Sequence, residues 1–462
     1  MAAEEETRRP DSRNGWFWVP TLYFAEGLPA ALVTTVSLVM FSSLGNSGSY
    51  AGRVSSEQVL FWTGLYSLPW MLRALWVPVI DRIGTPREWA IVLQAVMGGL
   101  FAAVGAAVAF GAWFPAVSGC FLAAAVASAT HDAAADGFYI IALDASAQAG
   151  FSGIRSALYK AGTVVGQGIL AMIAGALFGI MAPERAWGSV YGAAGAVMVL
   201  IAFYHLAMMP GTQRSAAAEC LSSAGEKKAE GRSPLDFFAP YWRAVRSPGF
   251  GRALAFLLLF RLAESQLRVA VPFLLAKRAD GGMELAVGHQ GFLYGTCGAL
   301  ALIAGGILSG YAVSRHGMRR WLWPMALAIN VPDLVYVYLA FFRPSSLWVI
   351  GGCVFVEQFG YGFGFTLLTL CMVLMARGEG GEETTRFALF TALSLFGVML
   401  PGSFAGYLLK VPSLLFPELD ALASYRIFFL WVIVCTIPSF VVTALMAKPL
   451  CEGFPPPAKR GE

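Results

Sequence analysis

Apolar runs long enough to cross a bilayer as helices recur along nearly the whole chain, separated by short basic loops. A helix needs about 20 apolar residues to cross the hydrocarbon core, and about twelve such runs follow one another here. Of the 462 residues, 57% are hydrophobic and 13% are charged, and the mean hydropathy is +0.65. A soluble domain cannot bury that much apolar surface, because burial saturates as a core grows. The sequence therefore predicts an all-α integral membrane protein, whose helices satisfy their own backbone hydrogen bonds in lipid.

The predicted spans form two sets of six. The first set covers 16–41, 57–80, 88–111, 115–142, 155–181 and 186–209, and the second covers 249–276, 286–313, 321–342, 346–376, 386–409 and 425–447. The predicted domains are an N-terminus (1–15), a six-helix half (16–209), a linker (210–248), a second half (249–447) and a C-terminus (448–462). Within the linker, 212–233 has the composition of a flexible connection, and 235–246 is amphipathic and basic, as expected at a membrane surface.

Most Lys and Arg residues outside the spans fall on the side of the membrane that carries both termini. The positive-inside rule then places both termini in the cytoplasm. The first thirteen residues have no apolar stretch of their own, so we do not expect them to be a removable signal peptide.

The two halves resemble each other, as a parallel repeat would. Matching pairs at nearly constant spacing are Ala25-Glu26 with Ala263-Glu264, Arg82-Ile83-Gly84 with Arg315-His316-Gly317, and Asp132 before Gly137-Phe138 with Glu357 before Gly362-Phe363. Two six-helix halves related by an axis along the membrane normal are the architecture of the major facilitator transporters. Residues 310–320 (GYAVSRHGMRR) also resemble that superfamily's loop signature G-x-x-x-D-R-x-G-R-R, with Ser314 at the acidic position.

Acidic residues within the predicted spans require an explanation, since inserting a charged residue at the centre of a membrane helix costs roughly 2.5–3.5 kcal/mol on insertion scales. They are Glu26, Asp132, Asp136, Glu264 and Glu357. One interpretation is that they pair with each other or with arginines and hold helices together. The other is that they line a cavity and exchange protons, and for this we select Asp132, Glu26, Glu264 and Glu357 as proton-coupling residues.

The seventh span carries Arg261, Glu264 and Arg268 at spacings of three and four, which places them along one helix face. One positive charge balances Glu264, so the second is available for an anionic substrate. The predicted substrate-binding residues are Arg261, Arg268, Tyr23, Phe24, Gln266 and Tyr361. The aromatic members could stack on a sugar ring, and packing within the protein is the alternative.

A further set of charges lies near the predicted cytoplasmic ends of spans. Arg73 is one or two turns from a loop, and its side chain can reach water from there. We expect a cytoplasmic gate of Arg73, Asp81, Arg82, Asp136 and Arg315. His131 precedes Asp132, where either a pH-dependent role or a satisfied buried histidine would fit.

Several of these segments resemble the AmpG-type muropeptide permeases. Residues 68–82 are similar to the second-helix signature L-P-[WY]-x-L-[KR]-x-L-W-x-P-x-x-D-R, residues 128–137 to the fourth-helix S-A-T-[QH]-D-x-x-x-D, and residues 23–29 to the first-helix G-L-P. The resemblance implies a proton-driven importer of N-acetylglucosaminyl-1,6-anhydro-N-acetylmuramic acid and its peptides, in a bacterial inner membrane. It also implies that Asp132 and Asp136 are the fourth-helix acids and Arg73 is the second-helix base.

Other functions stay open at this point. The same fold could carry another anionic solute, such as an acyl-CoA or a siderophore, or act as a receptor that transports nothing. An enzyme is disfavoured, because the chain has no G-x-S-x-G, H-E-x-x-H or P-loop motif. We expect no cofactor, metal site or nucleic-acid partner, and a monomer whose partners are the lipid bilayer, protons and an amino-sugar or peptide substrate.

Overall fold

The computed structural model describes residues 15–47, 50, 53–76, 83–143, 145–211, 239–247, 249–376 and 383–454. All regular elements in these residues are helices, and ten helical stretches among them are long and apolar enough to cross a membrane. They are Gly15–Asn46, Pro86–Ala109, Phe114–Ala142, Gly153–Leu177, Pro183–Met208, Val287–His316, Met318–Phe342, Leu347–Ala376, Arg386–Leu415 and Ala421–Gly453. The predicted all-α membrane class is confirmed.

The helices of the first part of the chain are α1 (Gly15–Ala31), α2 (Ser37–Ser47), α3 (Ser56–Leu65), α4 (Leu68–Leu72), α5 (Pro86–Ala109), α6 (Phe114–Ala142), α7 (Ala145–Val164), α8 (Ala171–Leu177) and α9 (Pro183–Met208). A π-helical turn at Leu32–Val36 joins α1 to α2, and another at Val165–Leu170 joins α7 to α8. The first turn follows Pro29, which cannot donate a backbone hydrogen bond.

The second part contains α10 (Ala239–Val245), α11 (Phe250–Leu259), α12 (Leu262–Gln266), α13 (Ala270–Leu275), α14 (Val287–Gln290), α15 (Ala299–His316), α16 (Met318–Asn330), α17 (Leu334–Phe342), α18 (Leu347–Ala376), α19 (Glu383–Leu415), α20 (Ala421–Val434) and α21 (Thr436–Gly453). Several predicted spans contain more than one of these helices, and short 3-10 or π segments join the helices of such a span.

The second and seventh predicted spans are interrupted rather than continuous. The second turns at Tyr66–Ser67, between α3 and α4, just before Pro69 near the start of α4. The seventh turns at Phe260–Arg261 and is 3-10 helical at Leu267–Val269. Pro272 lacks the N–H that would bond to the carbonyl group of Arg268, which favours the tighter 3-10 geometry there.

The chain divides into two compact units that interleave along the sequence. Unit 1 contains Met1–Val33, Leu72–Gly166 and Trp187–Arg232, and unit 2 contains Thr34–Met71, Gln167–Ala186 and Ser233–Glu462. Segments 34–71 and 167–186 thus pack with unit 2 although they precede the linker. The division into sequential halves at 16–209 and 249–447 stays a prediction.

Helices pack closely within each unit where glycines face a neighbouring backbone. In unit 1, Gly27 of α1 lies against the carbonyl oxygen of Tyr159 in α7, and Gly162 of α7 lies against that of Phe24. In unit 2, Gly305 of α15 and Gly362 of α18 make the equivalent mutual contact. Small residues serve this purpose in membranes, because close backbone approach rather than hydrophobic exclusion holds helices together in lipid.

Some predictions concern residues outside the described ranges. These are most of the N-terminus (1–14), most of the predicted linker (212–238), Asp81, Arg82 and the last residues (455–462). The described end of the amphipathic segment is helical in α10, where Trp242 is exposed and the guanidinium of Arg246 lies 4.5 Å from its ring centroid.

Candidate functional site

A polar cavity of about 390 Å³ lies within unit 1. Helices α1, α6 and α7 and the 3-10 turn Arg73–Leu75 contribute its walls. The lining residues are Tyr23, Glu26, Arg73, Asp132, Asp136, Arg155, Ser156, Tyr159 and Lys160. Five of the residues predicted from the sequence therefore come together here: Tyr23, Glu26, Arg73, Asp132 and Asp136.

Asp136 is held by a basic and a phenolic side chain from two other helices. Its Oδ1 lies 2.7 Å from Nη2 of Arg155 and accepts a hydrogen bond of 3.3 Å from the hydroxyl group of Tyr23. The Arg155 guanidinium also stacks over the Tyr23 ring, 4.6 Å from its centroid. Asp136 and Arg155 are each about one-third exposed, and such pairs contribute little to stability. This pairing links α6 to α1 and α7 at the cavity.

The two other acids of the cavity are more deeply placed. Glu26 and Asp132 are only 5% and 7% exposed. Asp132 lies one helical turn before Asp136 on α6, so both carboxylates are directed to the same side. The close approach of α1 and α7 at Gly27 brings the neighbouring Glu26 into the same wall. Buried carboxylates in a membrane protein mark an ion or substrate pathway by default.

The predicted gate is only partly assembled in the described residues. Arg73 and Asp136 line the unit 1 cavity together. Arg315 belongs to unit 2, where it is exposed and its Nε donates a 2.9 Å hydrogen bond to the hydroxyl group of Tyr311. Phe24 is partly buried and is absent from the cavity lining, so the stacking predicted for it has no counterpart there.

Unit 2 has its own cluster around the break in the seventh span. Nε of Arg261 lies 2.8 Å from Oε2 of Glu264, and Nη2 of Arg261 donates a 2.8 Å hydrogen bond to the hydroxyl group of Tyr361. Three predicted site residues thus form one hydrogen-bonded network, in which Arg261 is buried and Glu264 and Tyr361 are partly buried. Arg261 supplies the positive charge that balances Glu264.

Arg268 has a different environment, because its Nη2 donates a 3.0 Å hydrogen bond to the hydroxyl group of Thr63 and its buried Nε has no hydrogen-bond partner among the described residues. No carboxylate lies within 4.0 Å of the Arg268 guanidinium in that part of the chain. Both polar atoms of the Gln266 side chain, by contrast, have partners. Its Oε1 accepts a hydrogen bond from Nε1 of Trp431, and its Nε2 donates one to the carbonyl oxygen of Leu262.

Glu357 is buried and bonded within unit 2. Its Oε2 accepts hydrogen bonds from Nε2 of Gln358 at 2.8 Å and from the hydroxyl group of Tyr336 at 3.4 Å. Tyr336 is in turn 2.6 Å from the hydroxyl group of Tyr294. Glu357 therefore ends a chain of two tyrosines, a contact that repeat matching did not predict.

Several lining residues of the unit 1 cavity were missed from the sequence. They are Arg155, Ser156, Tyr159 and Lys160, all on α7. The signal was present, because Arg155 and Lys160 are charges at the entry of a predicted span and Tyr159 follows Arg155 by one helical turn. A second cavity of about 370 Å³, in unit 2, contains none of the predicted site residues; Arg252 and Arg386 line it together with apolar side chains.

Comparison with solved structures identifies the fold. A bacterial homologue of the human lysosomal transporter Spinster, solved in an inward-facing and unoccupied conformation, matches with a TM-score of 0.68. The match covers 97% of this chain and 99% of that chain at 16% sequence identity. Fold and comparison together define a multi-pass helical membrane protein with the major facilitator fold.

Sequence comparison identifies proteins that are similar to this chain. The Anhydromuropeptide permease of Escherichia coli K12 is 23% identical over 444 residues, which are 93% of this chain and 79% of that protein. The Rickettsia typhi protein named AmpG 2 is 22% identical over 46% of this chain, and this match spans about half (47%) of that relative's length. The family model described as Acetyl-coenzyme A transporter 1 matches residues 16–143.

The resemblance to the AmpG-type permeases is thereby confirmed, and the chain is related to them. The model match over 16–143 contains the first-, second- and fourth-helix motifs that carry the resemblance. All of these relatives are transporters, in agreement with the expectation that the chain is not an enzyme.

Proposed function

We propose that this chain is a proton-coupled secondary transporter that imports an anhydromuropeptide, or a related anionic amino-sugar compound, across a bacterial inner membrane by alternating access. The observation that carries the proposal is the polar cavity of unit 1, where buried acids and three basic residues meet between helices α1, α6 and α7 and the 3-10 turn Arg73–Leu75. The similarity to the Escherichia coli permease over 93% of this chain supports the substrate class.

Proton coupling is proposed for Asp132 first, with Glu26 beside it in the same cavity. A charged carboxylate disfavours closing a cavity around it, because closure removes the charge from water. Protonation removes that cost, so proton occupancy and conformation become linked. Glu264 and Glu357 of unit 2 stay proton-coupling candidates, but hydrogen bonds from neighbouring side chains already hold both.

Acetyl-CoA is a second candidate cargo, because residues 16–143 match the family model described as Acetyl-coenzyme A transporter 1 and because acyl-CoA is also anionic. The test is uptake by proteoliposomes, with and without an imposed proton gradient. The panel contains a labelled anhydro-disaccharide, the same disaccharide with its peptide, and acetyl-CoA. We expect gradient-driven accumulation of the disaccharide compounds. Accumulation of acetyl-CoA alone would replace the proposed cargo, and binding without flux for every compound would indicate a receptor.

Arg268→Gln is expected to weaken the binding of anionic cargo specifically. Arg261 already balances Glu264, so the positive charge of Arg268 is available to a carboxylate of the cargo. A hydrogen bond to a charged group is worth about 1.5–3 kcal/mol, which predicts an increase in KM of about ten-fold or more for the anionic disaccharide-peptide. A neutral disaccharide that the protein transports should show little change. Equal losses for both compounds would indicate a structural role.

A further inference from the structure

A chain of hydrogen-bonding side chains runs through the interior of unit 1 behind the cavity. It joins one residue from each of four helices: Thr21 of α1, Gln94 of α5, His131 of α6 and His205 of α9. The side chains of Gln94 and of both histidines are fully buried. Burying so many polar groups in one place is costly unless every member is bonded, so the network requires a physical explanation.

The distances along this chain are short and uniform. Oγ1 of Thr21 lies 2.8 Å from Nε2 of His205, and Nδ1 of His205 lies 2.9 Å from Oε1 of Gln94. Nε2 of Gln94 lies 2.9 Å from Nε2 of His131. Each histidine thus uses at least one ring nitrogen in the chain, and the Gln94 amide bridges the two rings.

The chain ends at the cavity acid. Nδ1 of His131 is buried without a hydrogen-bond partner in the described part of the protein, and Oδ1 of Asp132 is 3.8 Å away. That separation is slightly too long for a hydrogen bond, and a small side-chain rotation would close it. At the other end, Oγ1 of Thr21 is also within 3.1 Å of the carbonyl oxygen of Trp18.

A neutral histidine ring has one nitrogen that donates and one that accepts. The hydrogen-bonded side chains therefore have only two complete hydrogen orders, where an order states which group donates and which accepts in each bond. In the first order, Nδ1–H of His131 faces a charged Asp132, and Nε2 of His131 accepts from the Gln94 amide. Oε1 of Gln94 then accepts from Nδ1–H of His205, whose Nε2 accepts from the hydroxyl group of Thr21.

In the second order every donor is reversed. A protonated Asp132 donates to Nδ1 of His131, and Nε2–H of His131 donates to Oε1 of the turned Gln94 amide. The Gln94 amide nitrogen donates to Nδ1 of His205, whose Nε2–H donates to Thr21. The hydroxyl hydrogen of Thr21 is then free to bond to the Trp18 carbonyl group, which lies within reach.

We infer that Thr21, Gln94, His131 and His205 form a positioning network whose hydrogen order follows the protonation state of Asp132. The inference rests on the proposed function for its role in transport, because Asp132 is the proposed proton-linked acid. Its consequence is that loading Asp132 with a proton changes a hydrogen bond in α1, the helix that carries Glu26. The other charged or titratable groups lining the cavity around Asp132 are Tyr23, Glu26, Arg73, Asp136, Arg155, Tyr159 and Lys160.

The test is the tautomer of each histidine, measured by nitrogen NMR on the full chain in lipid nanodiscs. The sequence contains only four histidines, and His289 and His316 are exposed, so replacing both with Asn leaves two signals to observe. A His205→Asn variant assigns these signals. On acidification, we expect His131 and His205 to change together from the Nδ1–H to the Nε2–H tautomer.

Gln94→Leu separates this role from simple packing, because it breaks the bridge between the two rings at nearly equal volume. We expect His131 still to respond to pH while His205 no longer does, and uphill uptake to fall about ten-fold in protein that remains folded. Gln94→Asn, which retains an amide, should restore part of both. Fixed tautomers across the pH range of uptake, or joint changes that persist in Gln94→Leu, would overturn the inference.

Asp132→Asn distinguishes this inference from the proposed function. The network predicts that neither histidine changes tautomer with pH in that variant. If the variant accumulates cargo normally while the wild-type histidines still change together, the proton-coupling proposal fails and the network stands. If the wild-type tautomers do not change and Asp132→Asn loses accumulation, the proposal stands and the network fails.

Discussion

Asp132→Asn is expected to abolish gradient-driven accumulation while leaving exchange of cargo across the membrane measurable. Asparagine has nearly the volume of aspartate and resembles its protonated form, so the cavity can still close but can no longer carry a proton. In proteoliposomes with an inward proton gradient, the ratio of internal to external cargo should fall to about one. Counterflow exchange, which needs no net proton movement, should continue in the same preparation.

Two variants serve as controls for this experiment. Asp132→Glu keeps the carboxylate and should retain part of the uphill uptake. Asp333→Asn makes the same chemical change at a second buried aspartate, in unit 2, and should leave accumulation intact. Normal uphill uptake by Asp132→Asn would shift the proposal to Glu26, the other deeply buried acid of the cavity.

Gly27→Ala is expected to destabilise the protein strongly although it adds only one methyl group. A Cβ at Gly27 would overlap the carbonyl oxygen of Tyr159, and a backbone atom in the middle of a helix cannot move aside cheaply. Overpacking typically costs about 1–3 kcal/mol. We expect the Tm of the purified protein to fall by about 1–3 °C. The cavity should also be disturbed, because Glu26 adjoins the contact.

Gly99→Ala is the matched control, since it makes the same change within the membrane helix α5. No atom lies within 4 Å of a Cβ built at Gly99, and alanine favours a helix over glycine by up to about 1 kcal/mol. Its Tm should therefore be unchanged or slightly higher. Equal effects at both positions would mean that the approach of α1 to α7 at Gly27 does not limit stability.

The acids of the unit 1 cavity could be predicted from the sequence, because a charged side chain within a membrane span is energetically costly and therefore stands out among apolar residues. Asp132, Asp136 and Glu26 were selected on that basis, and all three line the cavity. The partner of Asp136 was not found, because the charge of Arg155 is visible in the sequence but the periodicity of one helix does not show which other helix lies beside it.

Polar residues without charge were the hardest to predict. Gln94, Thr21 and His205 are each unremarkable in their own helix, and nothing in the local pattern links them. Their spacing in sequence is 73, 111 and 184 residues for the three pairs, and only the packing of α1, α5 and α9 brings them together. Pairing across helices depends on helix neighbours and rotations, which periodicity within a single helix does not contain.

The sequence by itself determined the class of structure, because a bilayer admits few solutions. Apolar runs of spanning length must form helices there, since lipid offers no partner for an unpaired backbone group. The tertiary structure alone decided which charges meet: Arg155 rather than a loop arginine contacts Asp136, and Thr63 rather than an acid bonds to Arg268. It also decided where the second and seventh spans break. The physical reason is that the preference of a segment for lipid depends on the hydrophobicity of its own residues, which the sequence shows directly. A contact between helices depends instead on the close approach of two segments that are distant in the sequence.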